Sequence, residues 1–93
     1  MSMLYVITYD IPDDRRRLRV ANYLEGYGSR VQKSVFEVYL EPADYARLRG
    51  RLERLVKANE DSLRIYRLCS GCRQAVEAIG KATTTEEPGL LII

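Results

Sequence analysis

The sequence predicts an α+β domain: two helices packed on one face of a small antiparallel sheet. Three observations carry this expectation. Residues 3–9 (MLYVITY) form an apolar, β-branched run of the kind found in a strand buried on both sides, or over most of its surface. Two later segments repeat apolar residues at helical spacing, and residues 63–68 (LRIYRL) alternate as a strand does. The 93 residues are 46% hydrophobic and 30% charged, which suits one folded domain and argues against disorder.

The elements follow in order. The first strand is broken by Asp10-Ile11-Pro12-Asp13-Asp14. Asp13 suits a helix N-cap, and the two acids suit the positive end of the helix dipole. The helix is expected to run to about Tyr27 and stop near Gly28. At about 100° per residue, Val20, Ala21, Tyr23, Leu24 and Tyr27 share one apolar face. Arg17 falls inside that face, so it must find a polar partner or snorkel out at the end of the sheet, where Asp10 sits. Residues 30–40 (RVQKSVFEVYL) are extended in character, but their alternation slips near Ser34 to Phe36. A bulged strand and two short strands both fit that slip. Glu41-Pro42 opens a second helix with the stripe Tyr45, Leu48, Leu52, Leu55 and Val56, ended by Asn59-Glu60-Asp61. After the 63–68 strand, Cys69 to Cys72 reads as a turn and residues 74–79 as a short helix.

This order suits a ferredoxin-like βαββαβ sandwich formed by residues 1–82. Residues 83–89 (TTTEEPG) read as a connector, and residues 90–93 (LLII) as an added C-terminal strand. That strand must bury itself on its own sheet or on the sheet edge of a second copy. A chain this small buries only about two-thirds of its unfolded surface, so dimerisation would add stability.

Net charge is only +2, but its distribution is uneven. Arg15, Arg16, Arg17, Arg19, Arg30 and Lys33 stand against one acid, Glu25, and the stretch from Arg47 to Lys57 holds five basic residues against Glu53. Twelve of the fifteen basic residues are arginine, whose planar fork matches phosphate oxygens. Solvated helix faces are the plain alternative, and two such patches favour a polyanionic partner. No apolar run approaches the roughly 20 residues of a membrane span. The N-terminal stretch does not read as a signal peptide, so the expectation is a cytoplasmic protein with no membrane association.

The chain has no histidine, which excludes imidazole catalysis and most zinc sites. Its six glycines are scattered and form no phosphate loop. A hydrolase with this inventory needs a hard metal such as magnesium, held by carboxylate and by the substrate's phosphates. Asp10 is the candidate ligand, because a rigid strand positions it at the solvent boundary; a capping role is the alternative. One carboxylate makes no complete site, and a two-fold dimer joining both Asp10 side chains would supply the second. Tyr9 is the tyrosine that could stack on a base. Cys69 and Cys72 (CSGC) read as reduced structural thiols, with a redox pair or a zinc shared between two chains as alternatives.

Tyr9-Asp10-Ile11 after a hydrophobic strand, an arginine-rich helix ending in Tyr27-Gly28, and RVQKSVFE from Arg30 to Glu37 form a specific combination. In these motifs the chain resembles the CRISPR-associated adaptation endonuclease family ("Cas two") over essentially its whole length. The resemblance implies a ferredoxin-like homodimer in which each C-terminal strand supports the partner's sheet and the two Asp10 carboxylates face each other and bind Mg2+. It implies metal-dependent cleavage of RNA or DNA, and work with the CRISPR integrase subunit ("Cas one") in acquiring spacers. Tyr9, Asp10, Arg17, Arg30, Ser34 and Phe36 carry over as site residues. Two other functions compete: a non-catalytic scaffold that positions DNA, and a ferredoxin-like module that binds a small regulatory ligand.

Overall fold

The apolar run at the start of the chain becomes the inner strand of the sheet. In the computed structural model, which describes residues 2–80, the order is β1 (Met3–Asp10), α1 (Asp14–Glu25), β2 (Ser29–Gln32), β3 (Val35–Leu40), α2 (Pro42–Leu55), β4 (Ser62–Leu68) and a short α3 (Ser70–Gln74). The four strands form one antiparallel sheet in the order β2-β3-β1-β4, so the ferredoxin-like βαββαβ sandwich is the observed fold. The expected boundary at residue 82, the connector and the C-terminal strand of residues 83–93 lie outside the described residues.

Strand alternation sorts the side chains. Tyr5, Ile7 and Tyr9 of β1, with Phe36, Val38 and Leu40 of β3, meet Val20, Ala21 and Leu24 of α1 and Leu48 and Leu52 of α2 in one core. The opposite face carries Val6 and Thr8, which are only half-buried, and Tyr66, which is 49% exposed. β1 is therefore buried over most of its surface, as expected, and not on both sides throughout. Both long helices cover the same face of the sheet; on the other, hereafter the outer face, Leu4 is buried while Val6, Thr8 and Asp10 meet solvent in part or fully.

Asp13 caps α1 as expected, its Oδ2 accepting from the Arg16 N–H at 2.8 Å, and that bond holds its carboxyl below the usual range. The helix ends at Glu25, two residues before the expected point, and the Tyr27 and Gly28 N–H groups close its last turn on the Leu24 carbonyl at 2.9 and 3.2 Å. The phase slip around Ser34 resolves into two strands, β2 and β3, with a register shift between Arg30 and Gln32. Pro42 occupies the first turn of α2. That helix ends at Leu55, not at residues 59–61 as the sequence suggested, because Val56 turns to an extended conformation and packs on the core. Residues 57–61 form a separate turn in which the Asp61 carboxylate accepts from the Lys57 N–H at 2.8 Å.

The short helix expected over 74–79 is corrected as well. Helix α3 forms on the Cys69–Cys72 segment itself, with the Arg73 N–H bonded to the Cys69 carbonyl at 2.9 Å. Ile79 is 88% exposed. The apolar spacing of residues 74–79 therefore has no core to bury in and drives no helix.

One polar lock ties the two halves together. The Arg16 guanidinium donates to Asp61 through Nε (2.5 Å) and Nη2 (2.9 Å), and Nη2 also reaches Glu60 at 3.2 Å. The Asp61 side chain is fully covered. The Arg16 bonds hold its carboxyl below the ordinary carboxylate range.

Two outcomes follow from this packing. A Cβ at Gly28 would overlap Val38 Cγ1 and the Glu37 carbonyl oxygen and stand 2.9 Å from Val38 Cα. Gly28→Ala should cost about 1–3 kcal/mol in denaturant unfolding, while Gly26→Ala, whose Cβ has its nearest neighbour at 3.5 Å, should change stability little. The depressed Asp61 group stabilises the fold fully above its unfolded value of about 3.9 and loses that contribution as pH falls through its lower folded value. Asp61→Asn should therefore be less stable than wild type at pH 7, with the gap narrowing in unfolding experiments carried below pH ~4.

Candidate functional site around Asp10

Asp10 is the last residue of β1, exposed, and paired across the ladder with Ser62 of β4. Its place in the alternation puts it on the outer face with Val6 and Thr8, away from α1 and α2. Its carboxylate makes no hydrogen bond or ion pair with a described residue. A hard oxygen donor is thus fixed at its base by pairing with β4 and open at its tip.

The turn that follows is held by Arg17. Its Nη1 donates to the Ile11 carbonyl at 2.8 Å and to that of Pro12 at 3.5 Å, and Nη2 pairs with Asp14. An arginine on this apolar face needs a polar partner. The partners are the Ile11 and Pro12 carbonyls and the Asp14 carboxylate, so Arg17 holds the turn that follows Asp10.

Tyr9, Arg30, Ser34 and Phe36 come together on the other side of β1. The Phe36 ring is fully buried, lies 6.4 Å from the Tyr9 ring centroid to centroid, and is covered by the Arg30 guanidinium at 5.6 Å. Arg30 donates from Nε (3.1 Å) and Nη2 (2.6 Å) to the Lys33 carbonyl, and from Nη1 to Glu25 at 3.3 Å. The Tyr9 hydroxyl reaches the same Lys33 carbonyl at 3.5 Å, and the Tyr9 N–H donates to the Ser34 carbonyl at 3.2 Å. Burial pushes the Tyr9 hydroxyl up while the nearby Arg30 charge pulls it back. It therefore stays protonated at neutral pH and serves as a donor, not as a base. A fully buried Phe36 cannot touch a substrate. Its place is behind β1, where it fixes the β2–β3 turn against Tyr9.

The six residues named from the sequence thus fall into three parts: the open carboxylate of Asp10, its turn held by Arg17, and a stack behind the strand. Sequence reasoning missed the Lys33 carbonyl, on which Arg30 and Tyr9 converge, because a backbone acceptor leaves no mark on residue type. It also missed the Arg16–Asp61 lock, whose partners are 45 positions apart. Among the described residues no group of three or more His, Cys, Asp or Glu side chains is placed to hold a metal ion.

The family profile described as "CRISPR associated protein Cas2" matches residues 3–76. The chain belongs to the Cas2 family. It is 54% identical over 85 residues to the CRISPR-associated endoribonuclease Cas2 1 of Chloroflexus aurantiacus, covering 90% of this chain and 91% of that one. The crystal structure of Streptococcus pyogenes Cas2 at pH 6.5 superposes with a TM-score of 0.74 at 34% identity, over 84% of this chain and all of the other. A chain of a partial Cas6-RT-Cas1–Cas2 complex matches with a TM-score of 0.71 at 32% identity, over 83% of this chain and 90% of that one. The membership foreseen from YDI and RVQKSVFE thus holds for this Cas2-family chain.

The two supports of Asp10 can be separated by hydrogen exchange. Arg17→Ala should speed amide exchange in the turn between Asp10 and Asp14 and leave the β2–β3 turn at the wild-type rate. Arg30→Ala should do the reverse, loosening Lys33 and Ser34, since exposed or half-exposed stacks and bonds of this kind are worth only about 0.5–1 kcal/mol and act locally.

Proposed function

We propose that this chain works in the cytoplasm as a homodimer that binds nucleic acid, cleaves phosphodiester bonds with magnesium, and joins a Cas1-type CRISPR integrase in spacer acquisition. The observation that carries the reading is Asp10: paired with β4, exposed, without a partner among the described residues, and on the outer face. Membership in a family with relatives named endoribonucleases and endonucleases supports the activity, and the likeness to a chain of a Cas1–Cas2 complex supports the integrase partner. No helix among the described residues is long and apolar enough to cross a membrane.

The dimer is supported by two surfaces. The outer face carries Val6, Thr8, Val35 and Tyr66 towards solvent. A two-fold copy seated there covers this face and brings Asp10 beside Asp10 of the partner subunit. Strand β4 pairs only with β1 among the described strands, and its open edge adjoins a groove of about 500 Å³ lined by Tyr45, Leu52, Val56, Leu63 and Ile65. We assign this edge to a second copy of the chain.

The donor set fits magnesium, which takes oxygen ligands and binds through one or two carboxylates plus substrate phosphates. When bound, the ion supplies Lewis-acid polarisation of the phosphoryl group. The residues do the rest. Asp10 contributes charge at a fixed point, Arg17 keeps its turn from swinging away, and the Tyr9–Phe36–Arg30 stack keeps the strand end from fraying. Arg15, Arg19, Arg51 and Arg54 form no ion pair with a described acid, so their guanidinium groups are open to a phosphate backbone.

A second reading rests on those same open arginines: the dimer as a positioning scaffold with Asp10 uninvolved in cleavage. Nuclease assays on RNA and on duplex DNA, with magnesium or chelator, separate the two. Asp10→Ala should lower cleavage by about 10²-fold or more and leave the salt dependence of binding unchanged, whereas each lost arginine contact should reduce the salt slope by about 1. Cleavage that survives Asp10→Ala would end the Asp10 mechanism, whereas salt-sensitive binding by wild type with no magnesium-dependent cleavage supports the scaffold.

A further inference from the structure

The CSGC segment takes no part in the chemistry around Asp10. The end of β4 delivers Cys69 in an extended conformation (φ −72°, ψ 170°) to the first position before α3. The tight turn, closed by the Arg73 N–H on the Cys69 carbonyl at 2.9 Å and the Ala75 N–H on the Cys72 carbonyl at 3.1 Å, brings the two sulfurs to 3.4 Å. Both thiols are free and exposed. Free cysteine is ordinarily one of the most buried residue types, so packing does not account for this pair. No third ligand stands with them among the described residues, which argues against a metal site within one chain.

We propose that Cys69 and Cys72 form a reversible dithiol–disulfide redox pair, with Cys69 attacking and Cys72 resolving. The sulfurs need approach only from 3.4 Å to a bond length of about 2.05 Å, a side-chain movement at an exposed turn. The roles follow from an asymmetry. Cys69 stands at the exposed N-terminal end of α3 while Cys72 lies within its first turn, and the Cys72 N–H and thiol beside the Cys69 sulfur favour its thiolate. The co-reactant is a low-molecular-weight disulfide. The Cys69 thiolate attacks one of its sulfurs, forming a mixed disulfide and releasing one thiolate. Cys72 then gives up its proton and attacks Cys69 Sγ, releasing the second thiolate and closing the Cys69–Cys72 bond. Two electrons pass from the protein to the small disulfide, which leaves as two thiols. A small dithiol reverses both steps. The pair adjoins Arg73, which covers the Tyr39 ring at 5.7 Å, so the bridge forms at the point where α3 is held to the sheet.

The test uses the full chain, folded and in urea, with excess oxidised glutathione, acid quenching and mass spectrometry of the remaining thiols. Folded wild type should lose both thiols together, retain no glutathione, stay a single covalent chain, and react faster than the unfolded chain. Cys72→Ser should keep one glutathione on Cys69. Cys69→Ser should react about 10-fold more slowly or less. Circular dichroism should show both variants folded, since neither side chain is in the core. Glutathione retained on both thiols of wild type, disulfide-linked chains, or a folded rate no higher than the unfolded one would overturn the proposal.

Discussion

Ile7 is fully buried at the middle of β1, opposite Phe36 on one side and Ile65 on the other. Because side chains alternate with a period of two, this one placement decides the direction of every other residue in the strand. Tyr5 and Tyr9 go into the core with Ile7. Val6, Thr8 and Asp10 go to the outer face. A slip of one residue would bury the Asp10 carboxylate without a partner and expose Tyr9 and Ile7, so the hydrophobic core itself defends the position of the acid.

Around that strand, three arginines do different work with one chemistry. Arg16 forms a fork with Asp61 and joins α1 to the turn before β4. The fully covered Asp61 side chain makes this a specific contact, since losing either partner leaves a charge without its counterpart. Arg17 closes the turn after Asp10 through backbone carbonyls, satisfying groups that no strand or helix ladder reaches. Arg30 lies over Phe36 and gathers the Lys33 carbonyl. Each guanidinium serves a junction between elements, where several acceptors point in fixed directions and a planar, multi-donor group fits them.

Much of this was legible in the sequence because it rests on local periodicity. The β1 run, the apolar stripes of α1 and α2, the cap at Asp13 and Pro42 in the first turn of α2 follow from residue type and spacing. Asp10 and Arg17 stand out by position and take their site roles from the family resemblance. What was not legible depends on the third dimension. Residues 74–79 have helical apolar spacing but nothing to pack on, while Ser70–Gln74 gain a turn from the end of β4. The end of α2 moved because Val56 turns out to reach the core. Phe36 was named with the site because it travels in a characteristic motif, and its burial shows that a motif can mark the support of a site as well as its chemistry. The exposed sulfurs of Cys69 and Cys72 could not be paired from spacing alone, since CxxC fits a turn, a redox helix and a metal site equally well.

The central claim is that Asp10 makes a metal site only with its counterpart in a second copy. A titration with Mn2+ as a spectroscopic substitute for magnesium, followed by electron paramagnetic resonance and paired with sedimentation of the same samples, tests it most directly. The account predicts one tightly held ion per two chains, present only where the dimer is present, and lost in Asp10→Ala while the dimer persists. One ion per chain, or an ion that stays bound after Asp10→Ala, would contradict it.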